Sequence, residues 1–450
     1  MAGAAFDGEI YWPGDDGYEA ARLEAVWNEL KPPRRPAAIV LAQSEADVVA
    51  AVRLASERGL RVKARSGGHS WTGSSVRDGT ILVNLSGLSE VVVDAAGASA
   101  TVGPGAKGRD LNAMLAPRGL FFPTGHCPTV GVGGYLLQGG WGWNSTSLGP
   151  ACLSVVGVDV VTAEGELIHA DESQNSELLW AARGAGPGFC GIVTRFHLRC
   201  HPRPASMMLS NYVFPVEVVD ELLAWALEIG REVPPQLEFV ILGTTPRIDN
   251  VVVDGPPALV INACAMFDTA AESERALRLL ESCPVLDQAL ASRPRVPTTL
   301  DDLYAIGEAT EAPGFRWAVD NMWTDACAED LVPAVRELFV GVPTPASHVF
   351  WLNWPEQEIH DAALSVIGRT YIAAFTGWTD PAQDDELRFW GRDHMRRLEP
   401  LSKGIQLADE NLDGRPESRY LSDANRERLE TIRERWDPDG LFPSYLAGAG

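Results

Sequence analysis

The sequence predicts an α+β protein of two domains, on three observations. At 450 residues the chain is too long to fold around one compact core. Up to about residue 203, short apolar strands are interspersed with helices, which is typical of a mixed α+β region. From about residue 207 the strands are longer and amphipathic helices separate them, which indicates a large antiparallel sheet covered by helices on one face.

The first predicted unit is a strand, a helix and a second strand within residues 36–62. Ser44 is expected as the N-cap of this helix, and Gly59 is expected to end it. Further strands are predicted in "TILVNL", in "VVVD" and in "LSVVGVDVVTAEGELIHAD". The last of these alternates in two runs, so we expect two strands joined by a turn at residues 163–165.

The second region begins after "HPRPAS", which we interpret as a linker because of its two prolines. Alternating strands are then expected in "MMLSNYVF", "QLEFVILGTT", "ALVINACAMF", "FRWAVDNMW", "HVFWLNW" and "TYIAAFTGW". Near the C-terminus, Ser422 or Asp423 is expected to cap a charged helix that ends at Asp437.

The formal net charge at pH 7 is -24, from 61 acidic and 37 basic residues. A surface of this sign repels polyanions, so we expect neither nucleic acid nor an anionic membrane as a partner. The N-terminal stretch lacks the basic and apolar parts of a secretion signal, and no apolar run approaches the roughly 20 residues of a membrane-spanning helix. We therefore expect a cytoplasmic protein.

The seven cysteines are odd in number, widely spaced and free of CxxC pairs. This pattern predicts neither a disulfide scaffold nor a structural zinc site, and we expect no bound metal. Most of the cysteines are expected to be small buried side chains. Cys127 differs, because it stands directly before "PTVGVGG" in a glycine-rich stretch.

Three glycine-rich stretches lie within residues 65–75, 123–149 and 183–191. Glycines leave backbone amides uncovered, as is needed where a chain approaches a phosphate or a flat ring. The three stretches together indicate that the chain wraps an extended anionic ligand such as a dinucleotide. No G-x-G-x-x-G opens a helix after the first strand, and no G-x-x-x-x-G-K-[ST] occurs, so neither a Rossmann site nor a P-loop is expected.

The motifs "RSGGHSWTGSS", "CPTVGVGG", "LLWAARGAG" and "NRERLETIRERWDPDGLF" resemble the berberine bridge enzyme-like branch of the vanillyl-alcohol oxidase and p-cresol methylhydroxylase flavoprotein family. The resemblance covers residues from about 36 to 203 and from about 425 to 443. It implies an FAD-binding domain of two α+β subdomains over residues 1–205. It also implies a substrate domain over 206–402 and a segment over 403–450 that returns to the FAD-binding domain.

In that family, the histidine of R-S-G-G-H is joined to the 8α-methyl group of FAD, and the cysteine before P-T is joined to C6. The resemblance therefore implies FAD attached covalently through His69 and Cys127. Histidine and cysteine are also the side chains best able to offer a lone pair to an electron-poor ring. Further positions carried over are Arg65, Ser66, Gly67, Gly68 and Ser70 at the pyrophosphate, Thr129, Gly131, Gly133, Gly134 and Gly139 along the flavin and ribityl chain, and Gly191, Ile192 and Val193 near the adenine.

Val130 matches a position where oxidases of this family usually carry valine, so the resemblance also implies O2 as the electron acceptor. The sequence departs from the family at Pro187, where a glycine is usual, and at Cys190, where phenylalanine is common. A larger departure lies before the last helix. The segment that usually carries a tyrosine base reads "KGIQLADENLDGRPESRY", with no tyrosine before Tyr420.

Asp409 and Glu410 are our candidates for the base, because a desolvated carboxylate over the flavin would have a raised pKa. The alternative is that both are exposed charges in a loop. Tyr371 in "RTYIAAF" is a further candidate. Five tryptophans on predicted strands are interpreted either as core or as a stacking platform for substrate: Trp317, Trp323, Trp351, Trp354 and Trp378.

These features predict an FAD-linked oxidase that removes hydride from an alcohol or amine carbon of a bulky aromatic or secondary-metabolite substrate and releases H2O2. Three alternatives stay open: an oligosaccharide oxidase that forms a lactone, a dehydrogenase that uses an electron-carrier partner, and a flavin carrier without turnover. The expected partners are a small-molecule substrate and O2, with the chain as a monomer or a homodimer.

Overall fold

A computed structural model describes residues 6–245, 247–248, 251–252 and 256–445. The first five residues of the N-terminal stretch considered above lie outside this range. Helices and sheets are mixed along the chain, and a large antiparallel sheet is present, so the predicted α+β class is confirmed. In the described part of the chain, no helix is long and apolar enough to cross a membrane.

The first half of the chain forms short strands and helices. Its strands are β1 (Glu9–Tyr11), β2 (Ala38–Leu41), β3 (Arg61–Arg65), β4 (Thr80–Asn84), β5 (Val91–Asp94), β6 (Ser99–Val102), β7 (Leu120–Phe121), β8 (Val155–Val161), β9 (Leu167–Asp171), β10 (Ile192–Arg199) and β11 (His201–Pro202). Its helices are α1 (Tyr18–Glu24), α2 (Glu45–Arg58), α3 (Gly108–Leu115), α4 (Val132–Leu137), α5 (Ser145–Leu148) and α6 (Ser176–Ala182).

The second half contains the longer elements. Its strands are β12 (Ser206–Pro215), β13 (Leu237–Thr244), β14 (Arg247–Ile248), β15 (Val251–Val252), β16 (Ala258–Phe267), β17 (Ala291–Pro297), β18 (Arg316–Thr324), β19 (His348–Asn353), β20 (Thr370–Trp378) and β21 (Ser402–Gly404). Its helices are α7 (Val219–Ile229), α8 (Ala270–Leu277), α9 (Leu300–Thr310), α10 (Ala328–Val340), α11 (Asp384–Leu387), α12 (Trp390–Leu398) and α13 (Asp423–Trp436).

Three sheets organise these elements. A four-stranded sheet has the order β1-β2-β4-β3, in which β2, β4 and β3 are parallel. A five-stranded antiparallel sheet has the order β5-β6-β10-β8-β9. The largest sheet is antiparallel with the order β17-β12-β16-β13-β19-β20-β18-β21.

Local sequence signals account for the helix ends. The Ser44 side chain accepts a hydrogen bond from the Asp47 amide, and Asp47 completes a capping box at the start of α2. Gly59 then ends α2 in the left-handed conformation, as predicted. Ser422 is the N-cap of α13, which ends at Trp436, one residue before the predicted end.

One interpretation of a short segment needs correction. His201 and Pro202, which we expected to be part of a linker, pair with β7 instead. Residues 402–404, where we expect the substrate domain to meet the C-terminal segment, form the edge strand β21 of the large sheet.

The two faces of the large sheet bury different sets of side chains, because successive residues of a strand point to opposite faces. Ile372 and Ala374 of β20 pack with the helices α7, α8, α10 and α12. Tyr371, Ala373 and Phe375 of the same strand face the other way, toward the first half of the chain. One strand therefore supplies both the sheet core and the wall of a site.

The segment before α13 is held against β18 by buried polar groups. Arg415 donates a hydrogen bond of 2.5 Å from Nη1 to Oδ1 of Asp320, and its Nη2 contacts the Glu399 carboxylate. Asn411 donates to the other Asp320 oxygen at 3.0 Å. The side-chain amide of Asn321 donates from Nδ2 to the backbone carbonyl oxygen of Asp409 at 2.6 Å. These contacts fix the backbone on which Asp409 stands.

Arg415 and Asp320 are both almost fully buried, so removal of one partner would leave the other without its charge complement. We expect Arg415→Ala to lower the free energy of unfolding by about 3–5 kcal/mol. The matched control is Arg419→Ala, which breaks an exposed ion pair with Asp423 and should cost about 0–1 kcal/mol. Urea unfolding measures both, and equal losses would contradict this account of the segment.

Candidate flavin cavity and active site

A large cavity lies between the first half of the chain and the inner face of the large sheet. About 1790 Å³ of space not filled by protein atoms lies within the cavity and its opening to solvent. Its walls combine residues of β3, β10 and α4 with residues of β19 and β20. Both halves of the chain therefore contribute to one site.

The loop after β3 forms an anion cradle at this cavity. Residues 66–70 all line it, and Gly68 has a positive φ of 73°. The backbone amides of these five residues donate to no acceptor within the described part of the chain. A run of successive free amides that turns through a left-handed residue is a favourable site for phosphate oxygens. The loop therefore fits the pyrophosphate of a dinucleotide.

Arg65 contributes to this cradle from behind. Its guanidinium donates to the carbonyl oxygens of Ala25, Ser66 and Gly67 at 3.0, 2.8 and 3.2 Å. Burial lowers the pKa of Arg65 to about 10, so the group stays charged at neutral pH. Because its hydrogen atoms are used on these carbonyls, the Arg65 side chain fixes the shape of the loop.

Glycine is required where two glycine-rich stretches meet. A Cβ atom on Gly67 would lie 2.5 Å from the Gly131 nitrogen, and one on Gly131 would lie 2.6 Å from the Gly67 nitrogen. Both distances are far below van der Waals contact. The loop that carries His69 and the loop that carries Cys127 therefore pack backbone against backbone.

His69 and Cys127 meet at one hydroxyl group. The Oγ1 atom of Thr129 lies 3.1 Å from Nε2 of His69 and 3.4 Å from Sγ of Cys127. The His69 ring also stacks on Trp27, with centroids 4.9 Å apart. Burial, with the charges of Arg65 and Lys107, lowers the pKa of His69 to about 4, so its imidazole is neutral and keeps a lone pair. Burial raises the pKa of Cys127 to about 11, which keeps the free thiol protonated.

The structure brings the predicted flavin-binding residues together. Two of them are not among the cavity-lining residues: Thr129, which contacts His69 and Cys127 instead, and Gly139. The others all line the cavity: Arg65, Ser66, Gly67, Gly68, His69, Ser70, Cys127, Val130, Gly131, Gly133, Gly134, Gly191, Ile192 and Val193. Pro187, where the sequence departs from the family, also lines it, within a tight turn.

Asp409 and Tyr371 form a hydrogen-bonded pair on the cavity wall. The Tyr371 hydroxyl donates to Oδ2 of Asp409 at 2.5 Å, and Nε1 of Trp71 donates to Oδ1 at 2.8 Å. Burial raises the pKa of Asp409, although these hydrogen bonds oppose the rise. Burial and the Asp409 charge raise the pKa of Tyr371 well above its usual value. The pair can therefore share a proton in an enclosed site.

Glu410, the neighbouring candidate base, has a different environment. Its carboxylate accepts hydrogen bonds from the Thr72 hydroxyl at 2.6 Å, the Tyr445 hydroxyl at 2.7 Å and the Leu412 amide at 2.8 Å. The residue is 3% exposed, and it is not among the cavity-lining residues. Its contacts tie the C-terminal segment to the loop around Thr72.

Sequence reasoning missed several ionisable residues of the cavity, among them His126 and Glu311. His126 directly precedes Cys127 and pairs with Glu238 at 2.8 Å, and the attraction of Glu238 raises the pKa of His126 against the effect of burial. Glu311 directly follows α9, and it belongs to no sequence motif. Burial and the Asp409 charge raise the pKa of Glu311 to about 7. Its carboxylate has no hydrogen-bond partner among the described residues.

The five tryptophans left open by the sequence belong to the core. Each is at most 4% exposed, and none of them lines the cavity in the described part of the chain: Trp317, Trp323, Trp351, Trp354 and Trp378. The tryptophans that do line it are Trp71 and Trp141. Trp71 stands in the glycine-rich stretch that contains His69, and its ring packs on Phe375 with centroids 5.7 Å apart. The tryptophan side chains that line the cavity therefore both come from the first half of the chain.

A cradle of free amides, two nucleophilic side chains and a hydrogen-bonded carboxylate and tyrosine pair in one cavity fit an FAD-dependent oxidoreductase. Comparison with known proteins agrees, since residues 36–171 match the FAD binding domain family. The FAD-linked oxidoreductase ptmO of Penicillium ochrochloron is 34% identical over 434 residues, which cover 95% of this chain and 94% of that protein. The chain therefore belongs to the family of FAD-linked oxidoreductases.

Solved structures show the same fold. The 6-hydroxy-D-nicotine oxidase of Arthrobacter nicotinovorans superposes with a TM-score of 0.84 at 22% identity, covering 99% of this chain and 98% of that one. The berberine bridge enzyme-like protein 1 of Physcomitrella patens superposes with a TM-score of 0.82 at 21% identity, covering 98% of this chain and 96% of that one.

The contact between Gly67 and Gly131 yields a stability prediction. We expect Gly131→Ala to lower the free energy of unfolding by about 1–3 kcal/mol, because the added methyl group overlaps the Gly67 backbone. Gly134→Ala is the control, since a Cβ atom there meets nothing closer than 4.0 Å. Chemical unfolding of both variants provides the measurement. A Gly131→Ala variant as stable as the control would disprove the close packing of the two loops.

Proposed function

We propose that this protein is an oxidase with bicovalently attached FAD that oxidises a carbon bearing an amine or alcohol in a bulky aromatic or secondary-metabolite substrate. One observation carries the proposal. The amide cradle at 66–70, the His69 and Cys127 side chains that one Thr129 hydroxyl contacts, and the Asp409 and Tyr371 pair all border one cavity.

His69 and Cys127 are the residues that would hold the flavin. Thr129 engages Nε2 of His69, so Nδ1 is the ring nitrogen left to form a bond. The thiol of Cys127 must lose its proton before it can react, and its raised pKa makes that loss the demanding step of attachment. His126, the residue before Cys127, is an ionisable side chain that lines the same cavity.

Bound FAD would supply the redox chemistry, taking hydride at N5 and passing two electrons to O2 to release H2O2. Val130 lines the cavity, and it is the valine that the family resemblance associates with O2 as the electron acceptor. The protein's own task is then to bind the substrate, exclude water and take the proton of the substrate heteroatom.

Tyr371 and Asp409 would perform that proton transfer together. The Tyr371 oxygen accepts the substrate proton while its own proton passes to Asp409 along their hydrogen bond. The raised pKa of Asp409 makes the carboxylate a better acceptor than an exposed aspartate. Two hydrogen bonds keep this carboxylate in position. Trp71 donates to the Asp409 carboxylate, and Asn321 donates to the Asp409 carbonyl oxygen.

The lining of the cavity favours an aromatic amine. Trp71, Phe350 and Phe375 offer flat surfaces on which a ring can stack. The carboxylates of Glu311 and Asp409 face the same space, and they would stabilise a cationic nitrogen. The oligosaccharide alternative would also use aromatic surfaces, but it gains nothing from these charges. Anaerobic mixing with cyclic amines, benzylic alcohols and oligosaccharides separates the classes, because only a true substrate class bleaches the flavin absorbance.

The two attachment points give a prediction for variants. We expect His69→Ala and Cys127→Ala each to keep FAD covalently bound through the remaining residue, and the double variant to release it on denaturation. Mass spectrometry of the denatured proteins detects the added mass of FAD. The proposal fails if the double variant still carries covalent FAD. It also fails if the wild-type protein carries covalent FAD on neither of the two residues.

The proton-transfer pair gives a kinetic prediction. We expect Tyr371→Phe and Asp409→Asn each to slow anaerobic flavin reduction by roughly 10²–10⁴-fold, the usual contribution of a positioned base. Glu410→Gln is the comparison, since its carboxylate is engaged away from the cavity, and its rate should change by less than about tenfold. Stopped-flow absorbance measures the three rates. A larger loss for Glu410→Gln than for the other two would transfer the role of base to Glu410.

A further inference from the structure

A second cluster of ionisable side chains lies on the five-stranded sheet, outside the flavin cavity. Asp159 on β8 is paired directly with His169 on β9 and with Arg195 on β10. His197 stands two residues beyond Arg195 and therefore points to the same face of the sheet. The intervening residues of these strands, such as Val158 and Phe196, pack in the apolar core on the opposite face.

Three donor atoms of this cluster converge. Oδ1 of Asp159 lies 2.6 Å from Nδ1 of His169 and 3.2 Å from Nε2 of His197. One ligand atom from each of the three side chains lies within 4.8 Å of the other two. Donor atoms bound to one Zn²⁺ ion at about 2.0–2.2 Å stand roughly 3 Å apart, which is close to the two separations from Asp159.

The outer partners of the two histidines match those of metal ligands. If Nδ1 of His169 faces the ion, its Nε2 lies 3.3 Å from the carboxylate oxygen Oδ2 of Asp171. If Nε2 of His197 faces the ion, its Nδ1 donates to the Thr101 hydroxyl at 3.3 Å. Asp171 is itself held by the amide and hydroxyl of Ser173 at 2.7 Å. Such second contacts orient an imidazole toward a metal and fix its tautomer.

The residues around this cluster leave space for a cation, and the positive charge on the same face is neutralised. Gly157 lies on β8 beneath the His169 ring, where a Cβ atom would come within 3.2 Å of Cε1. Arg195, the nearest cation on this face, is neutralised by Glu45 at 3.2 Å. The side chains of His169 and His197 are 36% and 30% exposed, so an ion can reach them from solvent.

We propose that Asp159, His169 and His197 bind one divalent transition-metal ion such as Zn²⁺, with water completing the coordination. Two imidazoles and a carboxylate are a ligand set that suits Zn²⁺ and its neighbours rather than Ca²⁺ or Mg²⁺. The ion would join three adjacent strands. One of them, β10, begins with Ile192 and Val193 at the flavin cavity, so the site stabilises the cavity wall without entering the chemistry.

The test uses the flavin-loaded protein after dialysis against a chelator. Calorimetric titration with Zn²⁺ should show one site per chain, and Co²⁺ should give the visible bands of a low-coordinate complex with nitrogen and oxygen ligands. We expect His197→Ala and Asp159→Asn each to weaken Zn²⁺ binding roughly tenfold or more. His360→Ala is the matched control, because it removes an exposed histidine that also pairs with a carboxylate, Glu358, and should leave binding unchanged.

Retained flavin content and far-UV circular dichroism verify that the variants are folded, and His169→Gln provides a third, smaller change at the same site. Zn²⁺ binding at one site that is lost in these variants supports the proposal. The absence of saturable binding to the wild-type protein, or equal binding by the wild type, His197→Ala and Asp159→Asn, would overturn it and assign the cluster to ion pairing between strands.

Discussion

The contact between Gly67 and Gly131 is the constraint on which the site depends. Only two residues without side chains allow the loop after β3 to lie against the loop before α4 at backbone distance. This contact brings the His69 loop beside the Cys127 loop, so that one hydroxyl, that of Thr129, contacts both side chains. Arg65 donates to carbonyl oxygens beside and within the first loop, and the backbone amides of that loop remain free for a ligand.

The large sheet completes the site through strand alternation. A shift of β20 by one residue would turn Tyr371 into the helix-covered core and place Ile372 at the cavity. The buried pairing of Arg415 with Asp320 and of Asn321 with the Asp409 backbone then fixes the second member of the proton-sharing pair. Stability and the geometry of the site therefore depend on the same polar contacts, because a loosened segment would displace Asp409 from Tyr371.

Much of this arrangement could be predicted from the sequence. The capping signals at Ser44 and Gly59 are local, and the alternating strands of the large sheet are long enough to recognise. The glycine-rich motifs supplied part of the cavity wall, since all but two of the predicted flavin-binding residues line the cavity. By contrast, β17 was missed because it is an exposed edge strand, "ASRPRVP", whose prolines and charges conceal a strand pattern.

The parts of the site that escaped prediction depend on long-range contacts. Glu311 and His126 meet in the cavity although 185 positions separate them along the printed sequence, and no motif marks Glu311. Likewise, the sequence could not show that the Arg65 guanidinium donates to a carbonyl oxygen of Ala25, or that Glu410 accepts hydrogen bonds from Thr72 and Tyr445 while Asp409 beside it faces the cavity. Spacing gives the periodicity of an element, but register and packing decide which side chains converge.

The most direct test of the central claim is a proteolytic digest of the denatured wild-type protein, followed by isolation of every flavin-bearing peptide. The account predicts one species in which a single FAD joins the peptide containing His69 to the peptide containing Cys127. Flavin recovered free in solution, or attached to a peptide that contains neither residue, would contradict the account.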